Sequence, residues 1–180
     1  ACQFLGIEII NEVIWYKKNA FPNLSGRRLT ASHETILWTH SGGKKRNYYF
    51  DYEYSKNGDF SSDELKAPGK QMRTVWDLSN NKKPNELKYG KHPTQKPIKV
   101  LLRMIKLSSK PDDIMLTPFS GAGSECVAAK MCGRHYIGFE IEKKYCDISE
   151  ERLVNTERES EQINLFQITQ EAPSYDETRD

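Results

Sequence analysis

Hydrophobic and polar positions divide the chain into stretches with different patterns. Residues 7–16 and 33–40 are rich in β-branched and aromatic side chains, which favours two strands. These strands could pair, although the loop between them, with its Pro and Gly residues, is long for a simple hairpin. Residues 41–91 show no apolar period and predict an irregular polar excursion with short strands, of which residues 70–77 form a small ordered part.

Helical periodicity begins after Pro97, a residue that suits the first turn of a helix, and continues to Leu107. A short, fully apolar strand of the parallel-sheet type is predicted at residues 114–116. A helix follows at residues 125–132, and Gly133 is predicted to cap its C-terminal end.

The C-terminal third continues this alternation of strand and helix. Residues 134–140 predict a strand, and an amphipathic helix begins at Lys143, with one apolar face formed by Tyr145, Ile148 and Leu153. Residues 156–180 have the composition of a solvated tail, in which three apolar side chains could dock locally: Ile163, Leu165 and Phe166.

Composition excludes several classes of protein. No apolar run approaches the roughly 20 residues of a membrane span, and the N-terminus lacks the features of a secretory signal, so we expect a cytoplasmic protein without a membrane partner. No Cys-x-x-Cys pair occurs, which argues against a zinc site and a disulfide framework; reduced thiols fit better at Cys2, Cys126, Cys132 and Cys146.

Charge is distributed unevenly along the chain. Residues 1–110 hold 20 Lys and Arg against 10 Asp and Glu, whereas residues 111–180 hold 7 against 15. A basic half suggests a polyanionic partner, and a solvated lysine-rich surface is the alternative.

Residues 114–140 form one strand–loop–helix–strand unit with the features of a ligand site. Gly121 and Gly123 lack a Cβ, so the backbone can approach a ligand closely, and the following helix N-terminus favours an anion. Glu140, at the end of the second strand, can accept hydrogen bonds from a ribose diol. Cys126 stands where a dinucleotide-binding site prefers a third glycine, which argues against NAD. Ser124 and Glu125 stand where the phosphate-binding loop of an NTPase has Lys and Ser/Thr, which argues against a nucleoside triphosphate. An adenosyl ligand without phosphates fits better, and a plain tight turn stays the alternative.

Three motifs, in order, resemble those of one enzyme family. His92-Pro93-Thr94-Gln95-Lys96-Pro97 resembles a motif of the beta group of S-adenosylmethionine-dependent DNA amino-methyltransferases. In that family a Phe-x-Gly-x-Gly motif follows after one helix and one strand, as residues 119–123 do here, and the next strand ends in Gly-x-Glu, as residues 138–140 do. The stretch NEVIWYKKNAFPNLSGRRLTASHETILW is similar to the family's paired strands and DNA-facing loop, so the resemblance covers roughly residues 4–155.

The resemblance implies a Rossmann-like α/β methyltransferase fold. The sheet is expected to be mixed and mostly parallel, with helices on both faces and only part of it in this chain. Residues 1–40 would supply strands beside the target-base pocket, residues 41–91 the DNA-recognition excursion, residues 92–155 the cofactor-binding region and residues 156–180 a charged tail.

Roles for single residues follow from the same resemblance. Phe119 would pack against the adenosyl group, residues 120–124 would wrap the methionine end, and Glu140 would bind the ribose. Thr94 and Lys96 would hold the cofactor carboxylate, and His92 and Gln95 would shape the same wall. The alternatives are that His92 is only a turn residue and that Lys96 is only a surface lysine. The predicted cofactor-binding residues are His92, Thr94, Gln95, Lys96, Thr117, Phe119, Ser120, Gly121, Gly123, Ser124 and Glu140.

The sequence departs from the family in two places. Thr117 stands where the family usually has an Asp that orients the methionine end, which weakens that expected contact. The chain contains no Pro-Pro dipeptide, so the family's catalytic Asp/Asn/Ser-Pro-Pro-aromatic motif is absent and no catalytic residue is predicted here. We expect a chain that begins mid-domain, with the missing half on the same or a separate polypeptide.

Basic residues in and beside the polar excursion are candidates for contacts with double-stranded DNA. Three aromatic residues lie among these basic residues: Tyr48, Tyr49 and Phe50. They could belong to the DNA-contacting surface or could instead be core or strand residues that pack inside the protein. Reading of bases in the major groove is a hypothesis for Arg27, Arg28 or Arg73. The predicted DNA-binding residues are Arg27, Arg28, Lys44, Lys45, Arg46 and Arg73.

The expected reaction is methyl transfer from S-adenosylmethionine to adenine N6 in duplex DNA, without a metal. Cytosine N4 is the alternative acceptor. A non-catalytic DNA-binding subunit with a decayed cofactor site and an RNA or small-molecule methyltransferase are alternative functions. Partners left open are a cognate restriction endonuclease, a complementary N-terminal half and a second copy in a homodimer.

Overall fold

The computed structural model describes residues 4–41, 47–80 and 82–157. Lys44, Lys45 and Arg46, which we predict to contact DNA, lie outside the described residues, as do Cys2 and the segment 158–180.

The first sheet has the strand order β2-β1-β3. Strands β1 (Glu8–Tyr16) and β2 (His33–His40) are antiparallel, with Trp15 opposite Glu34, and β3 (Val75–Asp77) is parallel to β1. The long loop between β1 and β2 does not prevent pairing, because the Lys17 N–H donates to the Ser32 carbonyl at 2.7 Å and closes the loop at its base.

The second sheet confirms the predicted strand–loop–helix–strand unit. Strands β4 (Ile114–Thr117) and β5 (His135–Gly138) are parallel and α3 (Ser124–Met131) connects them. Helix α2 (Ile98–Ser108) precedes the unit and α4 (Lys143–Val154) follows it. Gly133, with φ +69°, ends α3 as predicted. Together with the mixed pairing of the first sheet, this confirms the α/β class.

Helix α2 joins the two sheets because each side of it enters a different core. Val100 and Leu107 pack with Trp15 and Trp76 of the first sheet. Leu101 and Ile105 belong to the core formed with α3, which contains Val127, Ala128 and Ala129. The hydrophobic periodicity after Pro97 therefore encodes two packing faces rather than one.

The polar excursion is more ordered than the sequence predicts. It contains α1 (Tyr52–Asn57) and a 3-10 helix (Pro84–Leu87) besides β3, and Asp51 caps α1 by accepting a hydrogen bond from the Tyr54 N–H at 2.7 Å. A buried ion pair, Arg103 Nη1 to Asp63 Oδ2 at 2.5 Å, anchors the excursion to α2. The aromatic side chains of Tyr48 and Phe50 pack on Trp38, with ring centroids 6.1 and 5.5 Å away, which confirms their packing role.

The strand predicted at residues 114–116 is present and pairs in parallel, but it is not buried on both faces as strands of parallel sheets commonly are. Met115 faces the α3 core, but Ile114 and Leu116 are 66% and 60% exposed. Alternate residues of a strand point to opposite faces, and α3 packs against only one face of this sheet. Among the described residues, no helix combines the length and apolar character that a membrane crossing requires.

Candidate functional site

The ends of the parallel strands meet around the segment 92–97. Lys96 Nζ donates to Glu34 Oε2 at 2.5 Å, beside the C-terminal end of β1. A Cβ placed on Gly121, in the loop after β4, would lie 3.4 Å from the His92 ring. The segment therefore touches the carboxyl ends of strands from both sheets, which is where open α/β sheets bind ligands.

A cavity of about 160 Å³ lies between this segment and the glycine loop. It is smaller than the roughly 300–1,000 Å³ of a typical small-molecule pocket, so these residues form one wall of a site rather than an enclosure. The structure brings together two motifs that are far apart in the sequence. The lining residues are His92, Thr94, Gln95, Lys96, Phe119, Ser120, Gly121, Ala122, Ser124 and Glu125.

Hydrogen bonds within the turn shape the first side of the cavity. The Thr94 N–H donates to His92 Nδ1 at 3.3 Å, and the His92 N–H donates to Gln95 Oε1 at 3.3 Å. The His92 ring stands edge-on to Tyr145 of α4, with centroids 4.4 Å apart. His92 is thus both a turn histidine and a lining residue, so the two roles that the sequence left open do not exclude each other.

Glu86, which the sequence pattern did not single out, organises this turn. Its carboxylate accepts hydrogen bonds from the Lys83 and Ile98 N–H groups, both at 2.9 Å, and its carbonyl accepts one from Gln95 Nε2 at 3.0 Å. Pro97, the N-cap of α2, makes no side-chain cap hydrogen bond, so Glu86 caps α2 from a distance. In the sequence, the one signal for this role of Glu86 is its position three residues after Lys83, which is the spacing of a capping box.

Lys96 is held by an acidic partner that the sequence did not reveal. Glu34 accepts hydrogen bonds from Lys96 at 2.5 Å and from Lys17 at 3.2 Å. Burial raises the pKa of Glu34, but the hydrogen bonds from Lys96 and Lys17 outweigh burial, so the pKa is lowered on balance. An ionised Glu34 therefore holds the Lys96 ammonium beside the cavity.

The glycine loop is held from two sides. The Glu140 carboxylate accepts hydrogen bonds from the Gly121 N–H at 2.8 Å and from the Ile141 and Glu142 N–H groups at 2.9 Å each. On the other side, the buried Arg152 of α4 donates to the Ala122 carbonyl and, at 3.0 Å, to Ser124 Oγ. The loop is thus fixed by side chains from outside it.

Thr117, Gly123 and Glu140 were predicted to bind the cofactor but do not line the cavity. The Thr117 hydroxyl forms a hydrogen bond with Cys126. Gly123, with φ +71°, leaves room for Ser149 of α4. The carboxylate of Glu140 is engaged with backbone N–H groups. These residues support the loop in the structure, and their predicted cofactor contacts stay predictions.

One lining residue, Glu125, was missed, and Ala122 was predicted only as part of the range 120–124. Burial raises the pKa of Glu125, against the lowering effect of its own backbone N–H and of Arg152. Side chains in the first turn of a helix lean towards its N-terminus, so the position of Glu125 directly after the glycine loop was a usable signal. Phe119 is 91% exposed at the rim, which leaves an aromatic face open to a ligand.

A family model described as DNA methylase matches residues 1–151. The chain belongs to the DNA methylase family. Two relatives are 45% identical over 148 residues, 82% of this chain and 52% of theirs: the Type II methyltransferases M2.LlaDCHI of Lactococcus lactis subsp. cremoris and M2.DpnII of Streptococcus pneumoniae. The Type II methyltransferase M.HinfI of Haemophilus influenzae is 39% identical over 175 residues, 95% of this chain and 46% of that protein. The chain thus spans about half the length of these relatives.

Solved structures of similar fold include DNA methylases. The crystal structure of the M1.HpyAVI–SAM complex superposes with a TM-score of 0.63 at 30% identity, over 84% of this chain and 65% of that one. The PvuII DNA methyltransferase (cytosine-N4-specific) superposes with a TM-score of 0.65 over 92% of this chain and 58% of that one, and at 19% identity it supports the fold alone.

The predicted DNA-binding arginines of this DNA methylase chain fall in two places. Arg27 and Arg28 are exposed in the loop between β1 and β2, at the same strand ends as Lys96. Arg73 is also exposed, but it lies two residues before Val75, which pairs with Ile14, itself two residues before the C-terminal end of β1. The register therefore separates Arg73 from the other two along the strands.

Proposed function

We propose that this chain carries the S-adenosylmethionine-binding wall and DNA-contacting loop of a site-specific DNA methyltransferase that acts on adenine N6. The cavity shared by the segment 92–97 and the glycine loop carries the proposal, because it joins the two motifs that the family resemblance assigns to one cofactor. The Type II methyltransferase relatives and the structural likeness to the M1.HpyAVI–SAM complex support it.

The groups around the cavity fit this cofactor. The exposed ring of Phe119 offers an apolar face for an adenine, and the Lys96 ammonium suits a carboxylate. N–H groups in the first turn of α3 have no partner within the helix. Glu125, when ionised, suits the ammonium of an amino acid.

S-adenosylmethionine supplies an electrophilic methyl group when bound. In our proposal, this chain's residues hold the cofactor in a fixed orientation. This lowers the entropic cost of placing the acceptor nitrogen in line with the sulfur–methyl bond. The acceptor base must leave the duplex to be reached. Since adenine N6 and cytosine N4 are both exocyclic amino nitrogens, the same cofactor wall serves either.

Calorimetric titration with S-adenosylmethionine tests the cofactor wall. Phe119→Ala should weaken binding by about 1–3 kcal/mol, the usual value of base–aromatic stacking. Phe4→Ala is the matched control, because Phe4 is 93% exposed and precedes the opposite end of β1. Absence of saturable binding in the wild type, or equal affinities of Phe119→Ala and wild type, would contradict the proposal.

The acceptor is tested separately. The full-length protein is incubated with duplex DNA and S-adenosylmethionine carrying a labelled methyl, and the DNA is digested to nucleosides. We expect label in N6-methyladenine. Label in N4-methylcytosine would contradict adenine N6 as the acceptor but not the proposed cofactor site. Label in RNA but not in duplex DNA would contradict duplex DNA as the substrate.

The loop arginines are proposed to contact DNA phosphates or bases. Arg27→Ala combined with Arg28→Ala should weaken DNA binding and reduce its salt dependence by about one unit of slope for each phosphate that is no longer neutralised. Arg73→Ala is the comparison, because it removes the same kind of charge away from the loop. An equal weakening by Arg73→Ala would show that the DNA contacts are not confined to the loop between β1 and β2.

We also propose a cognate restriction endonuclease as the biological partner, since the relatives are Type II methyltransferases. DNA methylated by the full-length protein should resist that endonuclease, and cleavage at an unchanged rate would contradict the pairing.

A further inference from the structure

A second cavity, of about 640 Å³, is lined by residues of α2, α3, the C-terminal end of α4 and the segment 79–89. Its floor is apolar and is formed by Ile98, Leu102, Val127 and Met131. Four lysines also line the cavity, Lys82, Lys83, Lys88 and Lys99, together with Glu86 and Glu157. We name this surface the lysine-rimmed groove.

Two of the rim lysines are partly removed from water. Burial lowers the pKa of Lys82 and of Lys99, while the nearby Glu86 carboxylate raises both. Lys99 Nζ is held at 2.7 Å from Ser79 Oγ. Clustered, partly desolvated cations attract an acidic partner, and an apolar floor requires a partner with apolar side chains.

The chain itself enters this groove. Asn155, Thr156 and Glu157, which end the described part of the chain, are among the lining residues. The following segment, 158–180, holds six Asp and Glu against two Arg. It contains one apolar run, Ile163-Asn164-Leu165-Phe166-Gln167-Ile168. At about 3.3–3.6 Å per extended residue, the run can reach any part of the groove from Glu157.

We propose that residues 163–168 dock in the lysine-rimmed groove of their own chain. The apolar side chains cover the floor and the flanking acidic residues face the lysines. Arg152 also lines the groove and holds the glycine loop, so the docked segment covers the residue that supports the cofactor loop. Tethering keeps the local concentration of the segment high, which favours docking within one chain.

Disulfide trapping in the full chain tests this. Leu165→Cys is combined with Leu102→Cys on the groove floor, or with Leu37→Cys on β2 as the matched control. Both variants retain the native cysteines, two of which, Cys126 and Cys132, are buried. After mild oxidation, peptide mapping should find the 102–165 disulfide at about ten times the yield of the 37–165 disulfide, because the tether is common to both variants and only docking raises the local concentration of residue 165 at the groove floor.

Other outcomes overturn the proposal. Equal yields would show that the run does not choose the groove, and a 102–165 disulfide found only in covalent dimers would place a second copy there. If Leu102→Cys does not fold, Met131→Cys replaces it on the same floor. Lys82→Gln combined with Lys83→Gln should lower the trapping yield several-fold, whereas the exposed Lys70→Gln should not. Equal yields in these two variants would show that the charges of Lys82 and Lys83 do not contribute to docking.

Discussion

Ser149 of α4 occupies the space that a side chain on Gly123 would need. A Cβ on Gly123 would stand 2.0 Å from Ser149 Oγ and 2.8 Å from Ser149 Cβ. The glycine that opens α3 is therefore required by helix packing as well as by its φ of +71°. This relationship fixes where α4 sits relative to the glycine loop.

Gly123→Ala should consequently cost more than a positive φ alone explains. We expect about 1–2 kcal/mol from backbone strain and a further 1–3 kcal/mol from overpacking, measured by urea unfolding. Gly133→Ala is the matched control, because Gly133 has φ +69° and nothing within 4 Å of its Cβ position. An equal decrease in the free energy of unfolding of both variants would show that the contact with Ser149 adds nothing to the cost of Gly123→Ala.

Arg152 should be a positioning residue for the cofactor loop. Arg152→Met removes the donors to the Ala122 carbonyl and Ser124 Oγ, so we expect about 1–3 kcal/mol less stability and weaker S-adenosylmethionine binding. Arg134→Met is the control, since the equally buried Arg134 donates to Ser109 and Cys132 outside the cavity. It should cost similar stability and leave cofactor affinity unchanged at a temperature where both variants are folded. Equal losses of affinity would show that Arg152 acts only through global stability.

The Asp63–Arg103 pair should be needed for the excursion to stay docked. Asp63→Asn leaves a buried guanidinium without its counter-ion, which typically costs about 3–5 kcal/mol. Asp147→Asn breaks the exposed pair with Lys143 at 2.7 Å and should cost less than about 0.5 kcal/mol. Urea unfolding followed by tryptophan fluorescence measures both, because Trp76 lies 5.2 Å from the Arg103 guanidinium. A decrease below about 1 kcal/mol for Asp63→Asn would contradict a buried, energetically coupled pair.

Acid should weaken the glycine loop through Glu140. Its pKa is lowered below the usual 4.5, mainly by the hydrogen bond from the Glu142 N–H; burial opposes this, and the hydrogen bonds from the Gly121 and Ile141 N–H groups lower the pKa further. A lowered pKa contributes stability that is present above the unfolded-state pKa and lost as the pH falls through the folded-state pKa. Unfolding free energies between about pH 3 and pH 7 should therefore show a smaller acid decline for Glu140→Gln than for wild type. Parallel curves would show that these hydrogen bonds do not depend on the charge.

Local patterns in the sequence were sufficient for most elements. The β-branched runs predicted β1 and β2, and the apolar period after Pro97 predicted α2, because strands and helices place side chains at fixed intervals. The order of the motifs at residues 92–97, 119–123 and 138–140 was sufficient to predict the family, and the structure brings the first two to one cavity.

Contacts between distant residues were decided by the tertiary structure alone. Glu34 beside Lys96, Glu86 capping α2 and Arg152 beneath the glycine loop each join positions that no periodicity relates. The excursion has ordered anchors for the same reason: Asp63 is an ordinary polar residue in the sequence, and only the approach of Arg103 makes it a buried ion-pair partner. The sequence by itself thus determined the elements and the family, since these depend on neighbouring residues and motif order. The supports of the site depend on long-range packing, which only the folded chain specifies.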